Sequence, residues 1–485
     1  MLNIIPTPQV STMGNTLAKL LPQYLADEAF TDAANTLKEY ALRTKGIVLY
    51  TGAGGIKFKY DESIKSEAYK LTVTDKDVTV LASDLEGANH AAVTIIQLLE
   101  KDGDSITLPI GSIEDFPECA WRGVMVDLAR DFHELSVLYE YVDMCCFFKL
   151  KYLHLHFTDY QSYTLPSKAF PKLSTPGQHY TEEELKSLMA YATSRGVQIV
   201  PEIDTPGHSL LFTDAYPEIF GDEGIICNSD TSMNAMRTLF GELCELFCDS
   251  EYIHIGGDEV NIKCWTNCPR CLDKFKKEGI DVDAYLSSDE KRRELAEFIY
   301  ATFVKNLCEI VLSFGKTPVV WEGFNEKYNH LIPRDAVIMS WENYFQTTPK
   351  LLDAGFRIIN CAWRPMYVVT PARYWSINDV YNWSVYTWGA THPESPYLHE
   401  NLIVEPTTQV EGGQLLAWGD YIVDNFHPVF EGVREEQHLL EERAPCLAEN
   451  VWSREKKLSW DEFSSKMAKV NEMYNTFRIN KDSTL

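Results

Sequence analysis

The residues best suited to chemistry are two adjacent acids, Asp258 and Glu259, in the stretch Tyr252-Ile253-His254-Ile255-Gly256-Gly257-Asp258-Glu259-Val260. A short apolar run meets two glycines and then the pair of carboxylic acids. In a regular strand, neighbouring side chains point to opposite faces. Gly256 and Gly257 free the backbone from that geometry, so both acids can be aimed at one spot. Like charges held that close raise at least one pKa. One acid then keeps a proton for donation near neutral pH while the other stays ionised, a division of labour suited to acid–base hydrolysis. Taken alone, the same residues also fit a strand that ends in a solvated acidic turn.

The elements around the pair decide between these readings. From about residue 120 onward, strand-like runs alternate with helices, the pattern of parallel βα units. Eight strands are expected, at 123–128, 152–157, 197–203, 252–255, 318–321, 337–341, 357–361 and 413–418. Thr181 with Glu184 and Ser459 with Glu462 form capping boxes that open two of the helices. A long helix is expected from Ser287 to about Phe314, with Leu295, Phe298, Ile299, Phe303 and Leu307 on one face. Eight such units predict a (β/α)8 TIM barrel, whose strand C-terminal ends carry the chemistry. Those ends supply Asp159, the run Glu202 to His208, the acid pair, and the tryptophans Trp321, Trp341 and Trp418. Aromatic walls suit the apolar face of a sugar ring, although any one of these residues could equally be core. The stretch from Met366 to about Val410 is long and rich in Trp and Tyr, and reads as an active-site loop.

Residues 1–115 read as a small non-catalytic α+β domain, with 116–485 as the barrel. Tyr69, Leu71 and Val73 alternate with polar residues, as do Val78 and Val80, which predicts a hairpin. A helix follows from Glu86 to Leu99, and no chemistry is visible in this part.

Charge narrows the partners. Lys+Arg 44 against Asp+Glu 71 leaves a net charge of −27, which argues against nucleic acid and anionic membranes and for a neutral substrate. No basic leader followed by an apolar run and no apolar stretch of about 18 residues is seen. Twelve cysteines, with Cys145 and Cys146 adjacent, do not resemble a disulfide framework, so a reducing cytoplasm is expected. The oligomeric state is left open.

The run His-Ile-Gly-Gly-Asp-Glu-Val followed by Cys264-Trp265 resembles the signature of family 20 glycoside hydrolases, the β-N-acetylhexosaminidases, and the likeness extends over nearly the whole chain. The resemblance implies an exo-acting, retaining enzyme that removes terminal GlcNAc or GalNAc by substrate-assisted catalysis through an oxazolinium intermediate, a family exception to the two-carboxylate scheme. It implies that Glu259 is the general acid/base and that Asp258 orients the substrate's own acetamido group. It further implies that Arg122 holds ring hydroxyls and that Asp159 and His208 support the acid, with His156 behind them. Tyr367 would bond the acetamido oxygen, and Trp321, Trp341, Trp383 and Trp418 would wall the pocket. Ala444 to Trp452 resembles the family's closing helix, a structural part. No cofactor is implied.

Three departures bear on the sugar's outer hydroxyls. Asp159 is followed by Tyr160-Gln161-Ser162-Tyr163-Thr164 where many members have Asp-Gln-Gly-Trp-Arg, Val369 stands where Asp or Asn is usual, and Asp420 replaces a Glu. Preference at C4 and C6 is therefore open, and a specialist for a modified sugar such as 6-sulfated GlcNAc is one alternative. A catalytically idle sugar-binding protein on the same barrel is another.

Cys264, Cys268 and Cys271 follow the acid pair with C-x3-C-x2-C spacing. Plain reduced thiols are the simplest reading. The spacing also fits part of a structural zinc site, for which Cys227 or a distant His could serve as a further ligand. It resembles the cluster loop of radical S-adenosylmethionine enzymes as well, but that loop follows the first barrel strand and this one follows the fourth.

Overall fold

The computed structural model describes residues 2–221, 224–369, 375–420, 429–455 and 458–480. Eight parallel strands form the centre: β1 (Trp121–Asp127), β2 (Tyr152–His156), β3 (Gln198–Glu202), β4 (Tyr252–His254), β5 (Thr317–Trp321), β6 (Val337–Ser340), β7 (Arg357–Asn360) and β8 (Val410–Ala417). Each pairs with the next, and β8 pairs with both β7 and β1, so the sheet closes on itself with no free edge. The strands are buried on both faces, from the first residue of β1 to the last. A parallel sheet wrapped in helices requires that, and it accounts for apolar runs such as Val124-Met125-Val126 and Val319-Val320-Trp321, although β2 alternates leucine with buried histidine. The expected strands fall within a few residues of the observed ones, and the barrel reading holds.

Helices form where local signals start them. Thr181 and Ser459 each accept from the backbone N–H three residues on, and Glu184 and Glu462 bond back, so both capping boxes form. The expected long helix runs Asp289–Ser313, capped by Ser288. The region after β7 differs from the single loop expected. Tyr367–Val368 adds to the C-terminal end of β8, Ile377–Asn382 is a short helix capped by Ser376, and Thr387–Trp388 pairs with Leu402–Ile403. Residues 370–374 of that expected loop lie outside the described chain.

Ahead of the barrel lies a seven-stranded sheet with helices against it. Tyr69–Val73 and Val78–Ala82 form the expected antiparallel hairpin, with Leu71 opposite Val80. The helix Leu85–Leu98 follows, its first turn closed by Asp84 accepting from the Gly87 N–H. Charged groups stitch this part to the base of the barrel. Lys149 bonds Asp115 at 3.0 Å, and both side chains are fully buried. Glu67 bonds Lys151 at 2.6 Å and Arg122 at 2.5 Å.

Arg122 thus corrects one expectation. It is fully buried and also donates to the carbonyls of Cys119 and Lys149. The reason is strand direction: Arg122 is the second residue of β1, at the end opposite the chemistry. It joins two parts of the molecule and lines neither of the two spaces beside the acid pair. Among the described residues, no helix is long and apolar enough to cross a membrane.

Candidate active site

At the C-terminal ends of the strands lies a cavity of about 290 Å³. The acid pair reaches it because the chain after β4 leaves the strand path. Gly256 has φ 76° and Gly257 φ 111°. A Cβ at Gly256 would collide with the Asp204 carboxylate, so a side chain there is excluded by space as well as by backbone. The Tyr300 hydroxyl donates to the Gly257 carbonyl and pins the turn. Glu259 itself sits at φ 47°, as does His208 at 50°. Strained non-glycine residues are often found at active sites, and these two stand next to the cavity.

The two acids meet different surroundings. Asp258 is buried, 8% exposed, and one of its oxygens has no hydrogen-bond partner among the described residues. Burial first, and Glu259 as a like charge, push its carboxyl up to about 7 against the pull of His208. The Glu259 side chain is 57% exposed. The His208 hydrogen bond is the main reason its carboxyl lies below the usual range, with burial opposing. The pair is therefore split, with Asp258 the member that favours the proton.

Behind the pair stands a chain of partners. His208 Nε2 lies 3.5 Å from Glu259, and its Nδ1 lies 3.1 Å from Asp159. Burial opposes a charged imidazole there, but Asp204, Asp159 and Glu259 together hold His208 well above its ordinary pKa. Asp159 also meets His156 at 3.1 Å and Arg130 at 2.7 Å. Burial would raise its carboxyl, yet the bonds from His156 and His208 keep it low. Deeper still, Glu202 is fully buried and gathers His154 at 3.0 Å, His156 at 2.7 Å and His254 at 2.9 Å. It also accepts from the Trp321 indole at 2.7 Å. A carboxylate so buried is tolerable because His154, His156 and Trp321 lie within hydrogen-bond distance of it.

The cavity wall is aromatic. Trp341, Trp363, Tyr367 and Trp418 line it, with Val369, Arg130, Asp204 and Asp420. Tyr367 stacks on Trp363, ring centres 4.1 Å apart. Glu322 holds Trp341 from behind, accepting from its backbone N–H at 3.1 Å.

Trp341, Tyr367, Trp418, His208 and Asp420 therefore lie where expected around the pair, and Asp159 lies just behind. Two expected wall residues do not. Trp321 sits one layer below, its ring 6.0 Å from Trp418 and its N–H spent on Glu202. Trp383 is buried elsewhere, donating to the Thr387 carbonyl and packed over Gly413 in the lower half of β8. The short helix before it turns it away from the cavity. Arg130 and Trp363 were missed, while Asp204 belongs to the run expected at the end of β3 but was given no role. Arg130 bridges Asp127, Asp159 and Asp420 at 2.7–3.3 Å. Its signal was present: it follows the C-terminal end of β1, where the barrel rule looks for chemistry.

A second cleft of about 880 Å³ opens on the far side of Glu259, lined by Val260, Lys263, Arg292, Tyr344 and Phe345 among others. The cavity and the cleft meet at one shared carboxyl group, that of Glu259.

Comparison with known proteins specifies the family. The profile of the glycosyl hydrolase family 20 catalytic domain matches residues 119–455, and that of the family's domain 2 matches residues 1–116. The chain belongs to glycosyl hydrolase family 20 and is a glycoside hydrolase of the β-hexosaminidase family. It is 28% identical to a β-hexosaminidase of Akkermansia muciniphila over 442 residues, covering 84% of this chain and 83% of that one. It is 26% identical to human β-hexosaminidase subunit beta, covering 80% and 66% of the two chains. Among solved structures, an exo β-N-acetylglucosaminidase from Vibrio harveyi superposes with a TM-score of 0.81 at 21% identity, over 99% of this chain and 78% of that one. A β-N-acetylhexosaminidase from Bacteroides fragilis gives 0.78 at 22% identity, over 98% and 96%.

Proposed function

We propose that the protein is an exo-acting, retaining β-N-acetylhexosaminidase that releases terminal GlcNAc or GalNAc with the help of the substrate's acetamido group. The observation that carries this reading is the cavity in which Asp258 and Glu259 stand side by side under an aromatic wall. Its volume suits a single sugar ring, and the wall offers apolar faces to the ring and the acetamide methyl. Names of the similar proteins support the same substrate class.

In this reading, Glu259 protonates the leaving oxygen at the boundary between cavity and cleft, then takes a proton from water. Asp258 receives the acetamido N–H and stabilises the positive charge that develops on that group. Tyr367 bonds the acetamido oxygen as it attacks the anomeric carbon. Arg130 and Asp420 receive ring hydroxyls, with Val369 leaving an apolar gap in that rim. The proton must lie on Glu259 for the first step, whereas burial favours it on Asp258. Both arrangements carry one proton on the pair, so substrate that excludes water from Glu259 and donates an N–H to Asp258 inverts the preference without net uptake. A reducing cytoplasm remains part of the proposal, favoured by the cysteine content.

The test is nitrophenol release from β-GlcNAc, β-GalNAc, 6-sulfo-β-GlcNAc and β-glucose by wild type and Glu259→Gln. The expected result is cleavage of N-acetylated sugars only, with kcat lower by about 10²–10⁴-fold in the variant. Activity on β-glucose, or full activity in Glu259→Gln, would overturn the reading.

A further inference from the structure

One buried group of nucleophilic side chains takes no part in this chemistry. Cys227, Cys268 and Cys271 bring their sulfur atoms within 4.8 Å of one another. The sulfurs of Cys227 and Cys268 are 3.2 Å apart. The backbone N–H of Asn228 donates to the Cys271 sulfur at 3.2 Å, and the Arg270 guanidinium lies 3.6 Å from that of Cys227. Cys264, which spacing alone grouped with Cys268 and Cys271, falls outside this set.

We propose that these three cysteines bind a zinc ion. Thiols packed only to fill space have no need of N–H donors, whereas two of these sulfurs face a donor suited to a thiolate. Cys268 and Cys271 are separated by two residues, with Cys268 capping the nine-residue helix Pro269–Lys277 and Cys271 in its first turn. That is the bite of a structural zinc ligand pair, closed by a further cysteine from a distant segment. Three thiolates around a divalent ion leave one net negative charge, and Arg270 is placed to offset it. Cys268 is partly exposed, so solvent can reach the ion and supply the fourth ligand.

The site ties together the two loops that carry the acid and its partner. Cys227 follows His208 on the loop after β3, and the neighbouring Ile226 bonds Pro206 at 3.1 Å. Cys268 and Cys271 follow Glu259, and Trp265 between them donates to the Ile226 carbonyl at 2.9 Å. A bound ion would therefore hold the spacing of His208 and Glu259 as well as stabilise the fold.

The experiment is elemental analysis of the full chain, purified under reducing conditions without added metal or chelator. The expected content is about one zinc per chain, as for a structural site. Cys227→Ser and Cys271→Ser should lose the zinc, and Cys264→Ser should keep it. Removing the metal should lower the melting temperature, with recovery on Zn²⁺ but not Mg²⁺. A wild-type chain that carries no zinc and takes up none in competition with a chromogenic chelator would overturn the proposal. A Cys227–Cys268 disulfide in freshly isolated protein would overturn it in favour of a redox pair. If the serine variants fail to fold, the wild-type content and the Cys264→Ser control still decide.

Discussion

Asp258 and Glu259 are neighbours in sequence, yet burial separates them: one is enclosed and favours its proton, the other faces solvent and His208. Two outcomes follow at this scale. Because the pair keeps its last proton only up to about pH 7, kcat/KM should fall above that pH, and Asp258→Asn should abolish that limb along with most activity. The check is a pH–rate profile. The second concerns stability. A carboxyl whose folded pKa is raised above its unfolded value stabilises the fold at low pH and loses that contribution as pH rises through the folded pKa. Asp258 thus weakens the fold progressively between about pH 4 and pH 7, by up to roughly 4 kcal/mol. Asp258→Asn should raise the melting temperature at pH 8, and raise it less at pH 5.

At the scale of elements, the turn after β4 depends on groups remote in sequence. Tyr300, on the helix Asp289–Ser313, holds the Gly257 carbonyl. Gly323 lies so close to both that a Cβ there would strike the Tyr300 hydroxyl and the same carbonyl. Tyr300→Phe should lower kcat about tenfold with little change in KM, since a small misplacement of the acids is costly. Full activity in steady-state assays would show that the turn holds without it. The β1 loop provides a complementary test. Arg130 joins Asp159, behind the acid, to Asp420, at the pocket rim. Arg130→Ala should reduce kcat/KM about 10–100-fold, the range for losing charged hydrogen bonds.

For the whole molecule, the telling residue is Arg122. Its partners Glu67, Cys119 and Lys149 span the small domain and the barrel base. Arg122→Ala leaves Glu67 with one cation fewer in a mostly buried site, so it should cost about 3–5 kcal/mol. KM of the folded fraction should stay unchanged. Chemical denaturation beside steady-state kinetics separates the two: a raised KM with normal stability would restore Arg122 to the substrate.

Local patterns in the chain were enough to identify the strands, both capping boxes, the hairpin and the acid pair. Each depends on neighbours in sequence: continuous apolar runs, a Thr or Ser three residues before Glu, two glycines ahead of two acids. Contacts between distant segments were not legible in that way. Whether a tryptophan at a strand end faces the cavity is set by its surroundings in the fold, and Trp321 lies one layer below with its indole N–H on Glu202. Trp383 is drawn off by a helix that the sequence reading took for loop. Cys227, 41 and 44 residues from Cys268 and Cys271, was one of two candidates in the sequence, and the fold selected it over a histidine and left Cys264 out. The chain alone determined the class of chemistry and the barrel that presents it. The tertiary structure decided which acid is buried and favours the proton and which arginine lies beside the cavity, because burial and contacts between distant segments set both.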